Sequence, residues 1–178
     1  MAQYTVPGLD DKTAAQVIDV LQHRLAAYND LHLTLKHVHW NVVGRNFIAV
    51  HEMLDPQVEL VRGYADAVAE RIAAMGGEPR GRVGDIAQVR DWDDYSLLRD
   101  TSAAHLAALN KVYDGVITSN RKAIETFESE PVSQDLVIGQ TAELEKFQWF
   151  VRAHLEDQSG AVAGGDKSTE SGAAADAR

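Results

Sequence analysis

Apolar residues recur along this chain at steps of three and four, in four long runs separated by turn-forming residues. The first run holds Val17, Leu21, Leu25, Tyr28, Leu31, Leu35 and Val38, and the second Phe47, Val50, Leu54, Val58, Val61, Ala65, Val68, Ile72 and Met75. The third carries Leu98, Leu106, Leu109, Tyr113, Val116, Asn120, Ile124 and Phe127, and the fourth Leu136, Leu144, Phe147, Phe150, Val151 and Leu155. That spacing is the buried stripe of an amphipathic helix, and no alternating strand pattern competes with it.

The punctuation sets the helix ends. Asp10 or Asp11 caps the first helix, which ends near Gly44; Asn46 caps the second, which stops at Gly76-Gly77. Pro56 lies inside the second helix and predicts a bend at Glu52 or Met53. Residues 76–93 form a long connection with a short helix at Ile86–Val89, and Arg80, Arg82 and Arg90, with Arg71 just before it, make this the most basic part of the surface. Asp93 or Asp94 caps the third helix, which runs to about Ser129, and Pro131 separates it from the fourth. Four amphipathic helices and one long crossover specify an all-α bundle. Residues 1–9 read as an arm turning at Pro7-Gly8 and residues 10–158 as the bundle. From Ser159 the sequence is rich in Gly, Ala and Ser, so 159–178 read as a flexible tail.

Composition narrows the chemistry. The 178 residues suit one domain, and the absence of cysteine excludes disulfides, thiolate metal sites and redox thiols. No apolar run is long enough to span a membrane, and the N-terminus lacks the basic and apolar regions of a signal peptide, so the expected location is cytoplasmic. The net charge of −10 would repel nucleic-acid phosphates and concentrate cations.

The candidate chemistry lies in one stretch, residues 37–70. His51, Asp55, Asp66 and Glu70 fall within roughly 100° of arc on the second helix. Imidazole with carboxylate is a donor set for a first-row transition metal rather than for calcium. Asp66 and Glu70 stand one turn apart and can chelate one ion, whereas His51 lies about 22 Å from Asp66 along the axis at 1.5 Å per residue. They can share a metal only if a second copy of the helix packs antiparallel across a two-fold axis. No histidine has an acidic residue three positions before it, so the Glu-x-x-His pairs of a centre built inside one bundle are missing. HEMLD is not a zincin helix, because Asp55 stands where the second histidine belongs. His37 falls on a different face from His39 and reads as a surface or interface residue; His23, His32, His105 and His154 read as structural.

LTLKHVHWNVVG followed by NFIAVHEMLDPQVELVRGYADAVAERIAAMGG resembles the Dps family of mini-ferritins, over roughly residues 10–158. The family pattern is His-Trp, a second His twelve residues on, an Asp four later, then Asp-x-x-x-Glu; here these are His39-Trp40, His51, Asp55, Asp66 and Glu70. The resemblance implies a homododecamer with a hollow interior. It implies a ferroxidase that oxidises Fe(II), preferably with hydrogen peroxide, stores ferric mineral and protects DNA. It also implies an inter-subunit site holding a pair of irons, with His39 and His51 from one subunit and Asp66 and Glu70 from its neighbour. Asp55 would be a weaker ligand or would orient a histidine. Glu125, Glu128, Glu130 and Asp135 would line acidic pores. Family members that bind DNA use lysine- and arginine-rich tails. This tail offers only Lys167 and Arg178 as cations, which implies weak, non-specific, salt-sensitive DNA binding at most. Two alternatives stand beside this reading: a nucleoid-associated structural DNA-binding protein with a vestigial metal site, and a zinc or manganese site serving assembly alone.

Overall fold

A computed structural model describes residues 5–178. Residues 1–4, the start of the expected arm, lie outside the described residues. The arm's turn is present: Leu9 N–H donates to Val6 O across Pro7-Gly8, and Gly8 takes the positive φ of 85° that this turn asks of its third residue.

Four long helices form the body: α1 (Asp11–Asn41), α2 (Phe47–Ala74), α4 (Ser102–Thr126) and α5 (Pro131–Leu155). The crossover carries α3 (Val83–Val89), and α6 (Glu170–Ala177) follows the body. Asp10 caps α1 by accepting from the amides of Lys12 and Thr13. Asn46 precedes α2 but caps nothing with its side chain; it adopts a left-handed φ of 65°, as Asn tolerates. The close of α2 is a Schellman motif, with Gly77 N–H on Ile72 O and Gly76 N–H on Ala73 O. A Cβ on Gly77 would sit 2.8 Å from the Ile72 side chain and 3.0 Å from Ile18, so glycine is required there.

Short loops pair α1 with α2 and α4 with α5, and the crossover must then return along the bundle. Its end is fixed by a two-residue parallel bridge between β1 (Val42–Val43) and β2 (Asp100–Thr101), which sets the start of α4 beside the end of α1. On the way it is pinned to α1. Gln22 exchanges two hydrogen bonds with the Arg80 backbone, and Trp92 Nε1 donates to Asp30 at 2.7 Å. Thr101, not Asp93 or Asp94, caps α4 by accepting from Ala104 N–H. The third long helix thus begins some eight residues later than its sequence suggests. Leu98 is 76% exposed and Leu97 is buried in its place.

The expected flexible tail is folded. Thr169 caps α6 by accepting from Gly172 N–H, and Ala173 and Ala174 are buried where α6 packs on α4. Small residues permit the approach: Gly164 lies within 2.8 Å of Ala173 backbone atoms at the point where a Cβ would stand. The core is apolar, including Leu21, Leu35, Leu54, Ile72, Leu109 and Leu144, and a buried polar hub joins three of its helices. There Asn120 of α4 accepts from Arg24 and donates to Tyr28, both of α1, and donates to Thr141 of α5.

Candidate metal centre

The turn after α1 brings two imidazoles together. Gly44, at φ 91°, and Asn46 reverse the chain within five residues, so His39 on the last turn of α1 meets His51 near the start of α2. Their rings stack with centroids 3.6 Å apart and planes 25° from parallel. Nδ1 of His39 lies 3.0 Å from His51 O, and Nδ1 of His51 lies 2.9 Å from His39 O. A carbonyl only accepts, so each Nδ1 bears the proton. In the neutral form each ring then keeps Nε2 as a lone-pair donor, the arrangement of a metal-binding histidine whose other nitrogen is anchored.

Asp55, one turn beyond His51, stands 3.3 Å from Nδ1 of His39 and 3.0 Å from the Lys36 ammonium. The Lys36 hydrogen bond, with His39 adding to it, holds the Asp55 carboxyl below the usual carboxylate range. Its contact is with the nitrogen already bonded to His51 O, not with Nε2. Lys36 was not legible as a participant; its only sequence signal is its place one turn before His39 and Trp40.

Asp66 and Glu70 lie farther along α2, one turn apart and both exposed. Fifteen residues of helix separate His51 from Asp66, about 22 Å of rise, so the histidine pair and the carboxylate pair of one chain cannot meet on one ion. Among the described residues no three His, Asp or Glu side chains gather where they could hold an ion. Around the histidine pair the surface is unusually apolar. Trp40 is 71% exposed, Ile48 57% and Phe47 37%, with the Phe47 ring 5.0 Å from that of His51.

The other histidines do different work. His37 donates from Nε2 to Leu97 O at 2.7 Å and meets the edge of Tyr95, which ties down the crossover. His105 is fully buried with Tyr95 Oη 3.0 Å from its Nδ1, and burial pushes its pKa down. Glu130 does not line an opening. It is 4% exposed, caps α5 through the amides of Val132 and Ser133, and pairs with Arg71 at 3.0 Å. Glu125, Glu128 and Asp135 are exposed. The two tail cations are engaged: Lys167 lies 2.8 Å from Asp166 and 3.6 Å from Asp176, and Arg178 forks onto Asp100. No helix among the described residues is long and apolar enough to cross a membrane.

Residues 18–160 match the ferritin-like domain model. Over 179 aligned positions the chain is 64% identical to the DNA protection during starvation protein of Mycolicibacterium smegmatis, covering all of this chain and 98% of that relative. The chain belongs to the Dps family. Its backbone follows the solved Mycobacterium smegmatis Dps with a TM-score of 0.93 at 64% identity, over 95% of this chain and 97% of that one. DpsA14 from Streptomyces coelicolor gives 0.89 at 58% identity, over 91% and 97%. This Dps chain is therefore a ferritin-like helical protein of the class named for protecting DNA during starvation. The tail that folds as α6 lies within the span shared with the M. smegmatis relative.

Proposed function

We propose that this Dps oxidises Fe(II) at a site completed between two subunits, preferably with hydrogen peroxide, and stores the ferric product inside a homododecameric shell. One observation carries the reading: the reciprocal Nδ1–H bonds of His39 and His51, which leave two Nε2 donors side by side. Those borderline nitrogens suit capture of Fe(II), and the Asp66 and Glu70 carboxylates of a second copy supply hard oxygens that favour Fe(III). Exposed Trp40, Phe47 and Ile48 give that second copy an apolar surface to cover.

The substrate is a pair of Fe(II) ions, with Glu70 reaching both. Each gives one electron to a hydrogen peroxide molecule, the O–O bond breaks, and two hydroxides form. Both electrons arrive from the paired ions, so no hydroxyl radical is released. DNA would be protected by removal of both radical-forming reagents. Direct DNA contact through Lys167 and Arg178 requires breaking the pairs with Asp166, Asp176 and Asp100, and a net charge of −10 opposes it further. The test is anaerobic Fe(II) loading followed by peroxide, with radical trapping and size exclusion. Two irons oxidised per peroxide, no trapped radical and iron eluting with a large particle are the expected results. Slow oxidation with iron left free would sink the proposal.

A further inference from the structure

Away from the histidines, a cavity of about 510 Å³ opens between α1, α4, the crossover and the start of α6. Its floor includes Arg24, which is only 4% exposed. Arg24 donates to Asn120 and to Ser119 Oγ, but its Nε is buried with no partner, and no carboxylate among the described residues forms an ion pair with it. Arg24 has no carboxylate in direct contact, and Asp91 acts on it only through space, so its unpartnered Nε is the buried donor at this cavity's floor. Ser119 accepts from Arg24, which leaves its own O–H free to donate to a group in the groove.

The cavity continues into a second of about 470 Å³, and the two share Lys111, Gly115, Ser119 and Ser168. The second adds Thr118, Lys122 and Lys167, with Asp114 its one acid. This end is rich in hydroxyls and carries three lysines, of which Lys111 bonds Gly165 O at 2.9 Å and lies 3.6 Å from Asp114, and Lys167 pairs with Asp166 and Asp176. The first end has the opposite character: Trp92 stands on the wall with its Nε1 on Asp30, and Asp91, Asp93, Asp94 and Glu170 complete an acidic lining. The groove is thus dipolar, with an aromatic wall at its acidic end, and its volume falls in the range of small-molecule sites.

We propose that this groove binds a nucleoside phosphate. The phosphoryl group lies against Ser119, Lys111 and Lys122, where Arg24 supplies the field behind Ser119. The base lies at the Trp92 end, where a ring stacks on the indole and an exocyclic amine donates to Asp91 or Asp93. A duplex is too broad to enter, so the ligand is a single nucleotide rather than a nucleic-acid backbone.

Calorimetry on the assembled protein tests this with AMP, adenosine, inorganic phosphate and a short duplex as probes. AMP is expected to saturate at one site per chain and to bind at least about tenfold more tightly than inorganic phosphate or adenosine alone. Lys122→Glu and Ser119→Ala each weaken AMP by about tenfold or more. Lys122 is exposed, so Lys122→Glu keeps its helix content and its iron oxidation rate. No AMP heat, equal AMP affinity in the variants, or phosphate binding as tightly as AMP overturns the proposal. So does binding of the duplex alone, which would make the groove a backbone contact.

Discussion

Nδ1 of His39 and Nδ1 of His51 are each tied to the other residue's backbone carbonyl, at 3.0 and 2.9 Å. The pairing fixes both rings through backbone groups. It also gives a direct test of where the site is completed. His39→Ala with His51→Ala, and separately Asp66→Ala with Glu70→Ala, should each leave the helices intact and remove most of the Fe(II) oxidation. Neither variant holds a complete site. Co-assembled from equal amounts of the two, the shells should regain on the order of a quarter of the wild-type rate, because half the two-fold contacts are mixed and each mixed contact holds one intact site of two. Stopped-flow absorbance of ferric product reads this out. A mixture as inactive as its parents would refute the inter-subunit site.

Asp55 touches the protonated nitrogen of His39, so Asp55→Asn should keep Fe(II) binding but loosen the ring. A loss of about tenfold in metal affinity is the expected size for removing a group that orients a ligand. Lys36→Met should act in the same direction through Asp55. Histidine NMR lines would then show the His39 ring exchanging while the His51 ring stays fixed; unchanged lines in both rings would contradict the orienting role.

Glu130 links acid stability to the start of α5. Burial pushes its carboxyl up, but Ser133 and Arg71 outweigh this and hold it below the ordinary glutamate value of 4.5. The sign follows from linkage. Stabilisation by Glu130 is fully present above about pH 4.5 and is lost as pH falls through the lower folded value. Glu130→Gln should cost about 1–3 kcal/mol at neutral pH, since the half-buried Arg71 loses its carboxylate partner while keeping Ser133. Thermal melts should show a flatter pH dependence below 4.5 than wild type. A variant whose melting curve keeps the wild-type acid slope would rule this out.

Gly164 governs the C-terminal segment. It sits at φ 71° with Ala173 Cα and carbonyl oxygen 2.8 Å from where a side chain would begin. Gly164→Val should lift α6 off α4 without disturbing the bundle, speed tryptic cleavage after Lys167, and free Lys167 and Arg178. DNA shifts should then appear at low salt and vanish at physiological salt, as expected for two added cations per chain. Wild-type resistance at Lys167 would mean α6 is held by other contacts.

How far the sequence could be read depended on whether the signal was periodic. The stripes of α1, α2 and α5 repeat over many turns, so their existence and faces were plain. The start of α4 was not, because Asp93 and Asp94 look like caps to any local rule. Only the docking of Trp92 and Arg90 onto Asp30 shows that residues 90–101 stay extended. The tail misled for a related reason: Gly, Ala and Ser usually mean flexibility, but small side chains are also what let α6 approach α4. At the candidate centre the separation of the histidines from Asp66 and Glu70 was legible from spacing. The tautomers were not, since the groups that fix them are backbone carbonyls, which every residue carries.

The Asn120 hub has a consequence for folding fidelity. Apolar stripes alone tolerate a helix sliding by one turn, because Leu and Val repeat on that interval. Asn120 satisfies side chains from α1 and α5 at once, and Arg24 and Tyr28 stand one turn apart on α1. A slip of either partner helix would strand several buried polar atoms with no water to turn to. The hub therefore acts as an alignment key, penalising every bundle that is well packed but out of phase.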